Sequence, residues 1–201
     1  MYIQPHFSET RVEALHKLMR EYPLGTLVSH GDRGVEANHI PFLLDTTASP
    51  IKLCAHIPRA NAVWKELNEQ TSLVIFHGPN AYISPSWYPS KAAHGKAVPT
   101  WNYAVVHVYG VARIIEDKMW LRNHLETMTA THERNSKQPW KLSDAPSEYI
   151  DKMLNAIVGL EISASRIEGK FKLGQNKSVE DRQSVMKELI ALDSPLVGFG
   201  S

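Results

Sequence analysis

Asn102-Tyr103-Ala104-Val105-Val106-His107-Val108-Tyr109-Gly110-Val111-Ala112-Arg113-Ile114-Ile115 is the stretch on which the fold depends. It is rich in β-branched and aromatic residues and predicts the longest strand of the chain. Its apolar middle, Ala104 to Ala112, is interrupted by His107 and Gly110 and is too short to span a bilayer. Shorter runs of the same character surround it. Gly25 to Ser29 reads as a strand, followed by turn material at Asp32-Arg33-Gly34. His39 to Leu44 reads as a second strand, with Pro41 limiting its pairing. Ile51 to His56 alternates and reads as a third. Ser72 to Phe76 is a buried-type strand, after which Gly78-Pro79-Asn80 predicts a turn into Ala81 to Ser84. Leu160-Glu161-Ile162 returns to strand.

Helical spacing is confined to the flanks and connections. Thr10 and Glu13 have capping-box spacing, and Val12, Leu15, Leu18, Met19 and Tyr22 repeat behind them, predicting a helix from Thr10 to Tyr22. A short helix is expected around Asn61 to Leu67. Asp117 caps a helix bearing Leu121, Leu125 and Met128. Another begins near Pro146 with Ile150, Met153, Leu154 and Ile157 as its stripe. Ser178 and Asp181 repeat the capping-box spacing before a last helix, about 178–192, with Val185, Met186, Leu189 and Ile190. No internal repeat or linker divides the chain, so residues 1–201 are read as one α+β domain, an antiparallel barrel core with peripheral helices.

The bulk numbers agree with an ordinary globular protein: 201 residues, 43% apolar, 21% charged, net charge +1. Such a balance leaves no electrostatic footprint for nucleic acid or a membrane surface. The single cysteine, Cys54, excludes an internal disulfide and reads as a small buried hydrophobe in a reducing compartment. Met1 to His6 shows no basic region followed by an apolar stretch, so no signal peptide and a cytoplasmic location are expected. There is no GxGxxG, no Walker loop, no GxSxG and no HExxH, and the ten histidines do not fall at zinc-ligand spacing.

Three segments have the composition of a site. His56-Ile57-Pro58-Arg59-Ala60-Asn61 sits at a strand-to-helix junction, where free N–H groups and the forked Arg59 suit a phosphate. On pattern alone, a capped helix with a solvated arginine is the simpler account. Ser84 to Thr100 reads as a long ordered loop with Pro85, Pro89 and Pro99. Tyr82-Ile83-Ser84-Pro85-Ser86-Trp87-Tyr88-Pro89 and Pro99-Thr100-Trp101-Asn102-Tyr103, which overlap its two ends, interleave aromatics with hydroxyl and amide groups. That mixture suits a planar heteroaromatic ligand, and it equally suits packing of the loop onto the barrel. Glu168-Gly169-Lys170-Phe171-Lys172-Leu173-Gly174-Gln175-Asn176 alternates lysines across Phe171 as a charged edge strand would.

Taken together these segments resemble the PaiB family of FMN-binding negative transcriptional regulators over nearly the whole chain. The likeness is carried by Pro23 to Val28, Ala37 to Asp45, His56 to Asn61, Ala81 to Tyr88, Val98 to His107 and Lys170 to Asn176. Gly174 departs from the serine common in that last motif. The resemblance implies the FMN-binding split β-barrel (antiparallel, Greek-key-like, with peripheral helices) shared with pyridoxamine phosphate oxidases and flavin reductases. It implies FMN as cofactor and a homodimer that builds the site between two subunits. Arg59 and Asn61 would then hold the phosphate beside His56, and Asn38 and His39 would line the flavin. Ser84, Trp87, Thr100, Trp101, Asn102 and Tyr103 would shape the ring pocket, with Lys170, Gln175 and Asn176 reaching in from the partner.

The family label adds transcriptional control of protease synthesis and sporulation. No helix-turn-helix pair or basic patch supports DNA binding, which rests on the label alone. The alternative implied by the fold is an FMN-dependent oxidoreductase, for which only His94 stands out, by location, as an acid or base. A third is haem binding, with no histidine singled out as ligand. No metal is expected.

Overall fold

A computed structural model describes residues 1–32 and 34–199, and of Ala93 and His94 the backbone only. Arg33 of the expected turn and the side chain of His94 thus fall outside the described residues. The elements in chain order are β1 (Ser8–Glu9), α1 (Val12–Glu21), β2 (Leu24–Gly31), β3 (Gly34–Pro41), β4 (Leu43–Asp45), β5 (Lys52–Pro58), α2 (Val63–Leu67) and β6 (Thr71–Ile83). They continue with α3 (Ser90–His94), β7 (Thr100–Ile115), α4 (Lys118–Glu133), α5 (Ser147–Asn155), β8 (Ile157–Lys172) and α6 (Val179–Ala191). The eight strands form one sheet ordered β3-β2-β6-β7-β8-β5-β4, with β1 added to β8. The pairs β1–β8, β2–β3, β2–β6, β4–β5 and β5–β8 are antiparallel. None of the described helices is long and apolar enough to cross a membrane.

The chain gathers into two compact units. One comprises Met1–Tyr22, Phe76–His107 and Glu168–Ser201; the other comprises Pro23–Ile75 and Val108–Ile167. In the first, Leu15, Leu18 and Met19 of α1 are buried. Ile83, Tyr88, Val185, Leu189 and Leu196 form a cluster against which Trp87 and Leu173 pack. In the second, Leu27, Leu53, Ile57, Leu160 and Ile162 are buried almost completely, and Leu121, Leu142, Ile150 and Leu154 make a satellite cluster.

Several expectations need correction. Gly78-Pro79-Asn80 is not a turn, because β6 runs through it without a break. Gly78 serves close approach instead: a Cβ there would lie 2.8 Å from Leu18 Cδ1 and 3.0 Å from the Ala104 carbonyl. His39 to Leu44 is two strands, split at Phe42. Helix α1 starts at Val12 with no side-chain cap, so Thr10 and Glu13 form no capping box. The entry is organised by Glu9, whose carboxylate accepts the Arg11 backbone N–H at 2.8 Å and grips the guanidinium. The long loop holds a 3-10 turn at Pro85–Trp87 and the helix α3. Lys170 and Lys172 end β8, which is interior to the sheet, and Lys170 pairs with Ser8. Ile190 and Met153, expected on buried stripes, are exposed.

Other local rules hold. Ser178 Oγ accepts the Asp181 N–H at the start of α6. Asp117 caps α4 by accepting the Trp120 N–H at 2.7 Å. Asp117→Ala is therefore expected to cost about 1 kcal/mol, read as a drop in the thermal midpoint, with Asp117→Asn nearly neutral.

Candidate functional site

The expected site residues fall into one set in each unit. The first set gathers where β5 ends. Pro58 closes the strand, and the Arg59 N–H donates to the Ala156 carbonyl at 2.8 Å. The Trp64 indole N–H donates to the Arg59 carbonyl at 3.1 Å, and the guanidinium lies 5.9 Å from the Trp64 ring centroid. This fixes the root of the side chain while its head stays at the surface, donating to Glu116 Oε2 at 2.7 Å. Both partners of that ion pair are more than one-third exposed, so water screens it and it contributes little stability.

Asn61 is committed at both ends of its amide: Nδ2 donates to Asn38 Oδ1 at 2.8 Å, and Oδ1 accepts the Val63 N–H at 3.1 Å. The expected row of free N–H groups is largely used, since Arg59 donates to the distant Ala156 carbonyl and Asn61, Val63 and Lys65 donate locally. With five residues, α2 is also too short to act as a dipole. Arg59 is thus the group of this set with an available charge. Asn38 is joined to it through Asn61, whereas His39, next along β3, is exposed and by strand alternation faces away from Asn38.

His56 turns to a partner the sequence did not suggest. Its Nδ1 lies 3.3 Å from His124 Nε2, and the Trp120 indole stacks on the His124 ring at 5.1 Å and 10°. Burial, reinforced by the neighbouring His56, pushes His124 down to about 4; burial lowers His56 as well. Both rings are neutral near pH 7 and share one hydrogen bond, so they offer no positive charge to a phosphate. Cys54 is half-buried, and burial raises its thiol to about 11, which leaves it protonated and inert.

The second set lies in the other unit. Trp101 is exposed and meets Tyr82 edge to face at 6.0 Å. Lys172 holds this strand end, donating to Thr100 Oγ1 and to the Trp101 carbonyl, the latter at 2.9 Å. Lys170 donates to the Tyr2 carbonyl and lies 5.6 Å from the Tyr103 ring. Ser84 caps the 3-10 turn through the Ser86 N–H, and Trp87 packs on the apolar cluster. Gln175 is spent on its own turn, accepting from the Leu173 N–H and donating to the Phe171 carbonyl. Asn176 is exposed, and Asn102 is buried at 4% exposure. Glu116 and His124 escaped the sequence reading, and Lys172 was noted there but not counted among the site residues. Only Lys172 had a signal, its alternation with Lys170, and that also fits a plain edge strand. Among the described residues no group of three side chains could hold a metal.

Comparison with known proteins decides the family. Residues 1–166 match the model described as "Putative FMN-binding domain". The chain belongs to this FMN-binding family. Its cofactor is accordingly a flavin. The "Protease synthase and sporulation protein PAI 2" of Bacillus subtilis (strain 168) is 31% identical over 196 residues, covering 97% of this chain and 92% of that one. The flavocytochrome Anf3 of Azotobacter vinelandii superposes with a TM-score of 0.66 at 12% identity, covering 90% of this chain and 78% of that one. The FAD and heme binding protein of Mycobacterium smegmatis gives 0.64 at 16%, covering 89% and 79%. At such identities these two likenesses bear on the fold alone, the α+β split barrel with its antiparallel sheet.

Proposed function

We propose that this member of the family binds FMN with Arg59 as the phosphate anchor and acts, as a homodimer, in PaiB-type regulation. The observation that carries it is the Arg59 guanidinium: rooted by Trp64 and the Ala156 carbonyl, yet among the described residues paired with an exposed carboxylate alone. A forked cation held at the surface by a displaceable acid fits a phosphate dianion. Within the other unit, taken by itself, Trp101 with Tyr82 and Tyr103 beside Lys170 present aromatic faces of a kind that fits a planar ring. When bound, FMN supplies one- and two-electron redox chemistry; the protein supplies binding, orientation and electrostatics. The name of the Bacillus subtilis relative supports the regulatory role. No basic patch accompanies the net charge of +1, so an indirect effect through a bound small molecule is favoured over contact with DNA.

Arg59→Ala is expected to weaken FMN by about 2 kcal/mol, the loss of a charge-assisted hydrogen bond, read as a rise in Kd by fluorescence titration. Glu116→Gln should instead tighten FMN a few-fold, because the competing carboxylate is gone. An unchanged Kd in Arg59→Ala would place the phosphate elsewhere. Gel filtration with FMN tests the assembly: yellow colour co-eluting at twice the chain mass supports the homodimer, and colour at the mass of one chain refutes it. Bleaching of the bound flavin by a reduced nicotinamide would turn the reading towards an oxidoreductase.

A further inference from the structure

We propose that a recess between the end of β8 and the first turns of α6 binds the anionic head of a small molecule, a carboxylate or a phosphoryl group. Its wall includes Asn102, Gly174, Lys177, Asp181 and Arg182, all in one unit. The enclosed part of the recess is small, about 10 Å³, roughly the space of one water molecule, so its open mouth and wall are what a ligand would meet. A flavin ring cannot enter such a space, and only a single charged head resting at the mouth is compatible with its size.

Asn102 is the key observation. The residue is only 4% exposed, yet among the described residues no side chain or backbone group hydrogen-bonds its amide. The amide lines the recess and meets solvent there, so a bound anion would take the place of water as its partner. Gly174 keeps that approach open. It holds the left-handed conformation, φ +86°, and a Cβ there would stand 3.9 Å from Asn102 Nδ2 and 4.0 Å from Arg182 Cγ, so any side chain would grow into the opening.

The charges set the sign of the ligand. Asp181 is the acid in the wall, and both its oxygens are committed: Oδ1 accepts the Ser90 N–H at 3.1 Å, and Oδ2 accepts the Ser90 hydroxyl at 2.8 Å. Lys177 rests over the Tyr88 ring at 4.9 Å. Among the described residues, neither Lys177 nor Arg182 has a carboxylate partner. Two cations and an amide therefore converge on a recess whose acid is already satisfied, which favours an anion. No residue of the Arg59 set takes part; Asn102, expected in the ring pocket, is the one residue of the wall that the flavin reading also names, and competition with FMN is therefore part of the test.

The test is a titration of the full chain, FMN-free and FMN-loaded, with inorganic phosphate and separately with acetate. It is followed by the Asn102 side-chain amide and Gly174 backbone signals in 15N NMR. Saturable shifts of both signals with at least one anion are expected, with Kd raised tenfold or more in Arg182→Gln and Lys177→Gln. Lys187→Gln, exposed on the same helix, should leave Kd unchanged. Saturation by phosphate alone assigns a phosphoryl ligand, and by acetate alone a carboxylate. Linear shifts that are equal in Arg182→Gln overturn the proposal. So does competition between either anion and FMN, which would make the recess part of the flavin site. A failure of Arg59→Ala to weaken FMN would leave this result untouched.

Discussion

Gly110→Ala is expected to destabilise the protein by about 3 kcal/mol, at the upper end of the overpacking range. Gly110 is buried in the middle of β7. A Cβ built there meets the Ser163 carbonyl oxygen, with the Ser163 carbonyl carbon at 2.9 Å and Ile162 Cγ2 at 2.8 Å. The obstacle is mainly backbone of β8, which has no rotamer by which to yield. One strand must shift, and Leu160 and Ile162, almost completely buried on β8, lose contacts with it. For a domain of this size the thermal midpoint should fall on the order of 10 °C. Val111→Ala, at an exposed position of the same strand, should cost less than about 1 kcal/mol. Equal losses in the two variants would show that packing at Gly110 is not the constraint.

Acid should destabilise the protein through the His124 pair well before the carboxylates titrate. The folded protein holds His124 at about 4, against 6.5 for an ordinary histidine. Between those values the unfolded chain binds a proton that the folded chain refuses. The stabilisation is complete above pH 6.5 and is lost progressively as pH falls toward 4, amounting to about 3 kcal/mol. His56, lowered in the same direction, adds to the slope. Urea midpoints measured across this window should fall steeply for the wild type. In His124→Gln the slope should be less than half as steep, although stability near neutrality is reduced by the lost stacking on Trp120. A slope identical in the variant would mean that other groups carry the acid response.

The fold was more legible in the sequence than the site was. Strands β2, β5, β7 and the helices capped by Asp117 and Ser178 follow from side-chain alternation and caps, which are local rules that the packed chain obeys. The failures have different causes. At Gly78 and Pro79 local turn propensity competes with a neighbour that only the fold supplies, and the close approach of Leu18 and Ala104 prevails. At Thr10 the nearby Glu9–Arg11 pair replaces the expected cap. For the site, the sequence showed which residue types are present but not which of their atoms are already engaged. Asn61 and Gln175 looked like ligand groups and prove to be engaged within the protein, Asn61 by Asn38 and the Val63 N–H, Gln175 by its own turn. Glu116 and His124 lie far along the chain from Arg59 and His56, and no pattern announces such pairs.

The pairing of β5 with β8 has a consequence for how the chain is made. Their ladder joins segments distant in sequence; the Lys52–Glu161 ion pair that accompanies it spans 109 residues. Strand β1 likewise finds its partner only at the far end of β8. On a ribosome adding roughly 5–20 residues per second, β5 emerges about ten seconds before the strand that completes it. Throughout that interval Leu53, Ala55 and Ile57, later sealed from water, belong to an unfinished edge. Synthesis therefore passes through a stage in which aggregation competes with the arrival of residues 157–172. A pause in translation shortly before that segment should lower soluble yield more than a pause anywhere after it.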